Sequence, residues 1–126
     1  MKIRESAKEY LEAIYVLQEQ NGFVRSIDIA GYLKVSKPSV SRAMGVLRKN
    51  GYIHMDENSQ IHFQPAGLEI AHRIYDRHRI LTAYLIRLGV APETAAADAC
   101  RIEHILSEEA FLKIKKSVIS NTSFPT

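Results

Sequence analysis

A thiol, a carboxylate and an imidazole lie close together in the stretch CRIEH, at Cys100, Glu103 and His104. If the stretch is helical, the spacing of i, i+3 and i+4 puts all three side chains on one face. Thiolate, carboxylate and imidazole are all metal ligands, so one helix could supply three of them to a single ion. A nucleophilic thiol activated by the histidine and a merely solvated polar face are the alternatives.

The thiol interpretation makes demands that the sequence does not meet. Cys100 is the single cysteine of the chain and cannot form an intramolecular disulfide. Its roles are therefore packing, metal ligation or redox chemistry. A thiol enzyme also needs an orienting group and an oxyanion site, and no nucleophile elbow, zinc protease motif or phosphate-binding glycine loop is present. We predict that the protein is not an enzyme.

Two other segments carry residues of the same chemistry. Glu9 and Glu12 lie one turn apart on the first predicted helix, opposite its apolar stripe, and Val16 on that side indicates a second buried edge. Two carboxylates at a partly buried edge repel each other unless they are protonated or share a cation. His78 falls within the apolar stripe of a later helix, where a core histidine bonded to the backbone is the alternative to a ligand.

Periodicity and helix-breaking residues predict the elements that must position these side chains. Ser26, Ser36 and Ser107 are plausible N-caps of the second, third and sixth helices. Two short runs of alternating polarity, 52–55 and 61–63, predict a hairpin. The sequence therefore predicts a mainly α fold, with an N-terminal winged helix-turn-helix domain over residues 1–64 and an all-helical domain over residues 65–126.

The fifth predicted helix, which carries CRIEH, is expected to have two separate stripes. A helical wheel puts its core stripe at Ala95, Ala99, Ile102, Ile105 and Leu106. Cys100, Glu103 and His104 form a second stripe beside it.

A basic segment surrounds the third predicted helix. No Asp or Glu occurs between Ile29 and Met55, although five cations do: Lys34, Lys37, Arg42, Arg48 and Lys49. Such asymmetry is the electrostatic footprint of a surface that contacts phosphates, and a solvated basic face is the alternative.

The third helix is the predicted DNA-reading helix, because its apolar side can pack inwards while its polar side enters a major groove. Its candidate contacts are Lys37, Pro38, Ser39, Ser41, Arg42 and Lys49. The hairpin could add His54, Asn58 and His62 near the adjacent DNA backbone. A winged helix used only for protein contacts is the alternative to this interpretation.

Four motifs in order, over nearly the whole chain, resemble the iron-dependent and manganese-dependent repressors of the DtxR/MntR family: KEYLEAIY, SKPSVSRAMGVLRKNGYI, RHRIL and ACRIEHILSEE. The resemblance implies a transcriptional repressor that binds a palindromic operator in double-stranded DNA as a homodimer when its divalent metal sites are filled. It also implies that the second domain binds the metal and dimerises. We expect the dimer contact on the fifth and sixth helices.

The resemblance implies a ligand set as well. One site matches Glu9, Cys100, Glu103 and His104, and the second-site ligands of manganese-type members match Glu12 and His78, with Glu103 as a candidate bridge. The iron type's ancillary ligands are replaced here by Thr82 and Ala96, so that site is not expected.

The implied cofactor is Mn(II) or Fe(II), at one or two ions per chain. The thiolate favours Fe(II), Co(II) or Zn(II), whereas oxygen and nitrogen sets suit Mn(II). A metal-independent winged-helix regulator is the alternative function.

We expect a cytoplasmic protein. The chain is 46% hydrophobic with a net charge of +3, which is ordinary for a globular protein. No apolar run approaches the roughly 20 residues of a membrane span, and no signal peptide is recognisable. We therefore expect no membrane partner.

Overall fold

A computed structural model describes residues 5–120 of the chain. The elements are α1 (Glu5–Asn21), α2 (Ser26–Leu33), α3 (Lys37–Lys49), β1 (Ile53–Met55), β2 (Ile61–Phe63), α4 (Pro65–Arg87), α5 (Pro92–Ile105) and α6 (Glu108–Ser120). The predicted mainly α fold, with a winged helix-turn-helix followed by helices, is confirmed. Within residues 5–120, no helix is long and apolar enough to cross a lipid bilayer.

The chain divides into two compact units at Arg73 and Ile74, inside α4. The predicted domain boundary at residue 64 falls earlier, just before this helix, and stays a prediction. The first unit comprises α1 to β2 and the start of α4, and the second unit comprises the rest of α4 with α5 and α6.

One apolar core holds the first unit together. It combines the inward faces of the three helices with those of the two strands, and its fully buried members are Leu11, Ile14, Val24, Ile29, Val40, Leu47, Ile53 and Ile61. Because α1 and α3 contribute to the same close-packed core, a shift of α1 also displaces α3.

The starts of α2 and α3 differ in how well the sequence predicted them. Ser36 is the N-cap of α3, as predicted, and its hydroxyl accepts a hydrogen bond from the Ser39 N–H at 3.2 Å. Ser26 is not the N-cap of α2, because that position belongs to Arg25. The Arg25 N–H donates to the Asp28 carboxylate at 2.9 Å, so an acid three residues later satisfies the backbone that a serine was expected to serve.

Strands β1 and β2 form the predicted hairpin, hereafter the wing (residues 53–63). They pair antiparallel, with His54 opposite His62. Ile53 and Ile61 point into the core, while the two histidine rings lie outside and stack with their centroids 5.0 Å apart. At the tip, Asp56 accepts hydrogen bonds from the backbone N–H groups of residues 58 and 60 at 2.8 and 2.9 Å.

The first turn of α4 packs against the start of the wing. The Gln64 N–H donates to the Tyr52 carbonyl at 2.9 Å. A Cβ atom at Gly67 would collide with that same carbonyl, so only glycine allows the first turn of α4 to approach the strand so closely.

The second unit has a smaller core made by α4, α5 and α6. Ile80, Leu81, Ala99 and Phe111 are its buried members. Two polar contacts link the helices: Lys115 Nζ lies 2.7 Å from the Asp76 carboxylate, and Arg77 Nη2 donates to the Leu106 carbonyl at 2.8 Å. Ser107 caps α6 as predicted, since its hydroxyl accepts from the Ala110 N–H at 3.1 Å.

The predicted core stripe of α5 was wrong at one end. Ile105 is 82% exposed, whereas Glu103 is buried. At 3.6 residues per turn, Ile105 lies about 120° around the helix from the buried Ala99, and Glu103 only about 40°. The carboxylate therefore lies nearer the centre of the packed face than the isoleucine, which is the last residue of the helix.

Candidate metal centre and DNA-binding surface

Helix α5 brings the three CRIEH side chains to one place, as the i, i+3, i+4 spacing requires. One ligand atom each from Cys100, Glu103 and His104 lies within 4.8 Å of the others. Cys100 is exposed, His104 is half-buried and Glu103 is buried. The cluster thus runs from the surface of the second unit to its interior.

The Glu103 carboxylate is the centre of this cluster. Its side chain is 2% exposed, and one imidazole approaches each oxygen: His78 Nδ1 lies 3.5 Å from Oε2, and His104 Nε2 lies 3.8 Å from Oε1. Within the described residues, neither oxygen accepts a hydrogen bond, and the buried His104 Nε2 makes none. Burying a carboxylate in this way is costly unless a positive charge or hydrogen-bond donors compensate it.

These distances are closer to the spacing of ligands around a divalent cation than to hydrogen-bond lengths. The separations of 3.5 and 3.8 Å are too long for hydrogen bonds. Two oxygen or nitrogen ligands that bind one ion at about 2.0–2.2 Å lie roughly 3–3.5 Å apart. The His78 pair lies at the upper end of this range and the His104 pair lies slightly beyond it, so both separations are nearer to ligand spacing than to hydrogen-bond lengths.

The remaining predicted ligands lie on α1 of the first unit. Glu9 is exposed and Glu12 is half-buried, and they stand one turn apart as predicted. Leu11 and Ile14, on the other side of α1, are fully buried in the core of that unit. One side of α1 is therefore packed into the core, and the two carboxylates share another edge of the helix.

Helix α3 presents the polar face that the sequence predicted. Val40, Met44 and Leu47 are buried, and the candidate DNA contacts Lys37, Pro38, Ser41, Arg42 and Lys49 are exposed. Ser39 is half-buried, and its hydroxyl accepts hydrogen bonds from Ser36 Oγ at 2.8 Å and from Arg42 Nη2 at 3.4 Å. These contacts order the start of the helix while leaving the other Arg42 donors available for phosphates or base edges.

Two arginines extend this basic surface along the wing. Arg48 Nη1 lies 3.7 Å from Met55 Sδ, and Arg25 Nε donates to the Asn58 carbonyl at 3.2 Å. Arg48 belongs to the acid-free segment but was not among the predicted contacts. Arg25 was missed because it precedes that segment and is brought to the wing only by folding.

Hydrogen bonds to Asp56 fix the charge of this residue at the wing tip. The His62 ring, 2.8 Å from the Asp56 carboxylate, and the N–H groups of residues 60 and 58 hold the pKa of Asp56 below its ordinary value, and together they outweigh the opposing effect of burial. Asp56 is thus an ionised, fully hydrogen-bonded carboxylate.

Family models match both parts of the chain. "Iron dependent repressor, N-terminal DNA binding domain" matches residues 2–60, and "Iron dependent repressor, metal binding and dimerisation domain" matches residues 64–122. Together they cover the winged helix and the helices that carry the CRIEH cluster.

Individual relatives agree with the family models. The chain is 36% identical over 106 residues to the transcriptional regulator MntR of Salmonella typhimurium, covering 84% of this chain and 68% of that protein. The crystal structure of T. acidophilum IdeR superposes with a TM-score of 0.79 at 26% identity, covering 92% of this chain and 54% of that one. A manganese-dependent transcriptional repressor in complex with manganese has the same TM-score at 24% identity, covering 89% and 52%. The chain spans about half the length of these two solved structures.

An exposed cationic helix beside a wing defines a winged-helix DNA-binding protein. The chain belongs to the DtxR/MntR family of metal-dependent transcriptional repressors. The resemblance drawn from four motifs is confirmed. The prediction that the protein is not an enzyme is confirmed as well, because members of this family are transcriptional regulators.

Proposed function

We propose that the protein is a metal-activated, homodimeric repressor that acts in the cytoplasm, binds a palindromic operator and controls genes of manganese or iron homeostasis. The observation that carries this proposal is the Glu103 carboxylate, which is buried between two imidazoles and accepts no hydrogen bond within the described residues. A divalent cation is the ligand that this arrangement suits best.

We assign the ligands to two neighbouring sites that share Glu103. Oε1 faces His104 and Oε2 faces His78, so the two oxygens serve different imidazoles. One site would use Glu9, Cys100, Glu103 and His104, and the other would use Glu12, His78 and Glu103, as the family resemblance implies. Each bound Mn(II) or Fe(II) ion supplies positive charge that offsets the clustered carboxylates.

The same ligands give a route from metal to DNA. Glu9 and Glu12 belong to α1, and α1 shares its core with α3. When these carboxylates are held as ligands, α1 is fixed, and α3 with it. Without that restraint, their mutual repulsion loosens α1. Linkage of this kind contributes roughly 1–3 kcal/mol, and it is reciprocal, so operator DNA also tightens metal binding.

We assign operator binding to residues 1–64 and metal binding and dimerisation to residues 65–126. Lys37, Pro38, Ser39, Ser41, Arg42 and Lys49 are the proposed DNA contacts. A dimer presents two copies of α3 to successive major grooves of a palindrome. Helices α5 and α6 are the proposed dimer contact, and the exposed apolar side chains of Ile105, Leu112 and Ile119 support that assignment.

A calorimetric titration of metal-free protein with Mn(II), repeated anaerobically with Fe(II), tests the proposal by counting ions per chain. We expect two. One ion would leave a single site on Cys100, Glu103 and His104 and reduce Glu12 and His78 to structural residues. Failure of both ions to bind would overturn the proposal.

The alternative function, a metal-independent regulator, makes a different prediction. Fluorescence anisotropy with labelled operator DNA should then give the same affinity with Mn(II) and with a chelator. We expect the chelator to weaken binding by about fivefold or more, which is the range of typical allosteric coupling.

A further inference from the structure

The outer edge of the wing is held by a side chain of α1. In an antiparallel pair, alternate residues direct their backbone groups away from the partner strand. Ile61 of β2 is such a residue, and both of its groups are satisfied outside the wing. Its N–H donates to the Val24 carbonyl at 2.8 Å, and its carbonyl accepts from Gln18 Nε2 at 3.0 Å.

Gln18 lies on the same helix as the proposed ligands Glu9 and Glu12. It follows Glu12 by about 9 Å of helix axis, at 1.5 Å per residue. Between them, Ile14 and Leu17 are buried in the core of the first unit. A continuous, packed helix of this length moves as one body, so a shift at Glu12 is delivered to Gln18.

The hydrogen bond from Gln18 is also suited to transmit a shift of α1 to β2. Gln18 reaches β2 at a carbonyl that the hairpin cannot satisfy itself, so the wing has no internal replacement for the hydrogen bond. The wing presents His54 and His62 outward and is bordered by Arg25 and Arg48. Positioning Ile61 therefore positions a surface that continues the cationic face of α3.

We propose that Gln18 is a positioning residue that passes the metal-dependent position of α1 to the wing, in parallel with the core contact that passes it to α3. This inference rests on the proposed function, since it assumes that Glu9 and Glu12 are held when metal binds. Metal would then set two parts of the DNA-binding surface, the reading helix by packing and the wing by one hydrogen bond.

The test replaces Gln18 with Met, which keeps the length of the side chain but has no N–H donor. Gln20→Met, at an exposed glutamine of the same helix, is the matched control. In each protein, hydrogen exchange of residues 52–64 is measured with and without Mn(II). We expect Mn(II) to slow this exchange in the wild type and in Gln20→Met, and to have little effect in Gln18→Met.

Operator affinity is measured on the same proteins. For Gln18→Met, we expect a threefold to tenfold loss with Mn(II), the usual effect of one hydrogen bond, and no change with a chelator. Mn(II) affinity in the absence of DNA should stay within twofold. Gln18→Lys, which retains a donor, should keep the slowing of wing exchange by Mn(II).

Four results would overturn the inference. Equal losses of operator affinity with and without Mn(II) would show that Gln18 only supports the fold, and a loss of Mn(II) affinity would show that it acts through the metal site. A wild type that binds Mn(II) and represses, yet shows no slowing of wing exchange, would remove Gln18 as a relay and leave the repressor proposal intact. A wild type that binds no metal would overturn both proposals.

Discussion

Two carboxylates, one in each unit, show opposite relations to their surroundings. Asp56 at the wing tip is partly exposed and accepts from two backbone N–H groups and from His62. Glu103 on α5 is buried and accepts no hydrogen bond within the described residues, although two imidazoles stand nearby. The partly exposed acid accepts the hydrogen bonds that it needs, and the buried acid accepts none from the described residues.

The difference supports the proposal that Asp56 is a structural acid and Glu103 a metal ligand. A carboxylate with hydrogen bonds from its own turn stabilises that turn and requires nothing more. A buried carboxylate without donors destabilises the protein that carries it, and such strain persists where a ligand relieves it. The first unit therefore contains an acid that its own turn satisfies, and the second unit contains a buried acid that suits the proposed cation site.

The largest predicted effect comes from replacing the buried acid. Glu103→Gln keeps the shape of the side chain but removes the charge that two proposed sites share. Changes even to residues that only support ligands cost 10–100-fold in metal affinity, so we expect a loss of about 100-fold or more for Mn(II) by calorimetry. In metal-free protein, the midpoint of thermal unfolding should stay the same or rise, because a buried carboxylate that accepts no hydrogen bond from the described residues is gone.

Glu109→Gln is the matched control, since Glu109 is exposed in the first turn of α6. It should alter neither Mn(II) affinity nor the unfolding midpoint. If Glu103→Gln unfolded at a markedly lower temperature without metal, Glu103 would be a structural acid like Asp56, and the comparison would fail.

The next effect should appear in the first unit alone. Arg42→Glu reverses a charge on the exposed face of α3, so operator affinity should fall by at least about tenfold. The slope of log affinity against log salt should decrease by roughly one for each DNA phosphate that the variant no longer neutralises. Metal binding should be unchanged, which is the reverse of the result expected for Glu103→Gln.

Arg73→Glu makes the same charge reversal on α4, outside α3 and outside the proposed dimer helices, and controls for net charge. It should shift operator affinity far less than Arg42→Glu. Equal effects of the two variants would mean that total charge, rather than the face of α3, governs binding to DNA.

The sequence predicted much of this fold because local chemistry decides it. The caps at Ser36 and Ser107 and the alternation of the wing strands depend on neighbours within a few residues. The prediction at Ser26 was wrong because the helix begins one residue earlier in its capping. Arg25 is the N-cap, and its N–H donates to the Asp28 carboxylate. The helical wheel of α5 placed Ile105 in the core because the residue is apolar. The wheel does not take into account that Ile105 ends the helix, where it is exposed.

The site was predicted only in outline. Spacing alone places Cys100, Glu103 and His104 together, and the structure adds that His78 approaches the same carboxylate from α4. The burial of Glu103 and its lack of hydrogen bonds arise from packing between helices distant in sequence, which periodicity does not report. The contact of Arg25 with the wing was missed for the same reason, since it joins residues that are distant in sequence.

A smaller effect is expected at the exposed edge of the metal cluster. Cys100→Glu replaces a soft thiolate with a hard carboxylate, so the ratio of Mn(II) to Zn(II) affinity should rise, by about tenfold. Competition titrations with a metal-binding dye measure this ratio. Cys100→Ser, which removes the thiolate without adding a carboxylate, separates loss of sulfur from gain of oxygen. An unchanged ranking in both variants would show that the thiol is not a ligand.

The smallest effect is a dependence of wing stability on acid. The His62 contact lowers the pKa of Asp56 from its ordinary value of 3.8. The stabilisation by the ionised carboxylate is therefore complete above that value and is lost as the pH falls through the lower folded-state pKa. Asp56→Asn should lack this component, so its stability should approach that of the wild type as the pH falls below 3.8, as followed by denaturant unfolding.

Glu57→Gln, at the exposed neighbouring position, is the control and should follow the wild-type pH profile. Parallel profiles for all three proteins would mean that the hydrogen bonds of Asp56 add nothing to wing stability. Asp56 would then no longer be the satisfied acid against which Glu103 is compared. A convergence confined to Asp56→Asn would instead show that the wing acid already stabilises the folded chain without a bound ion.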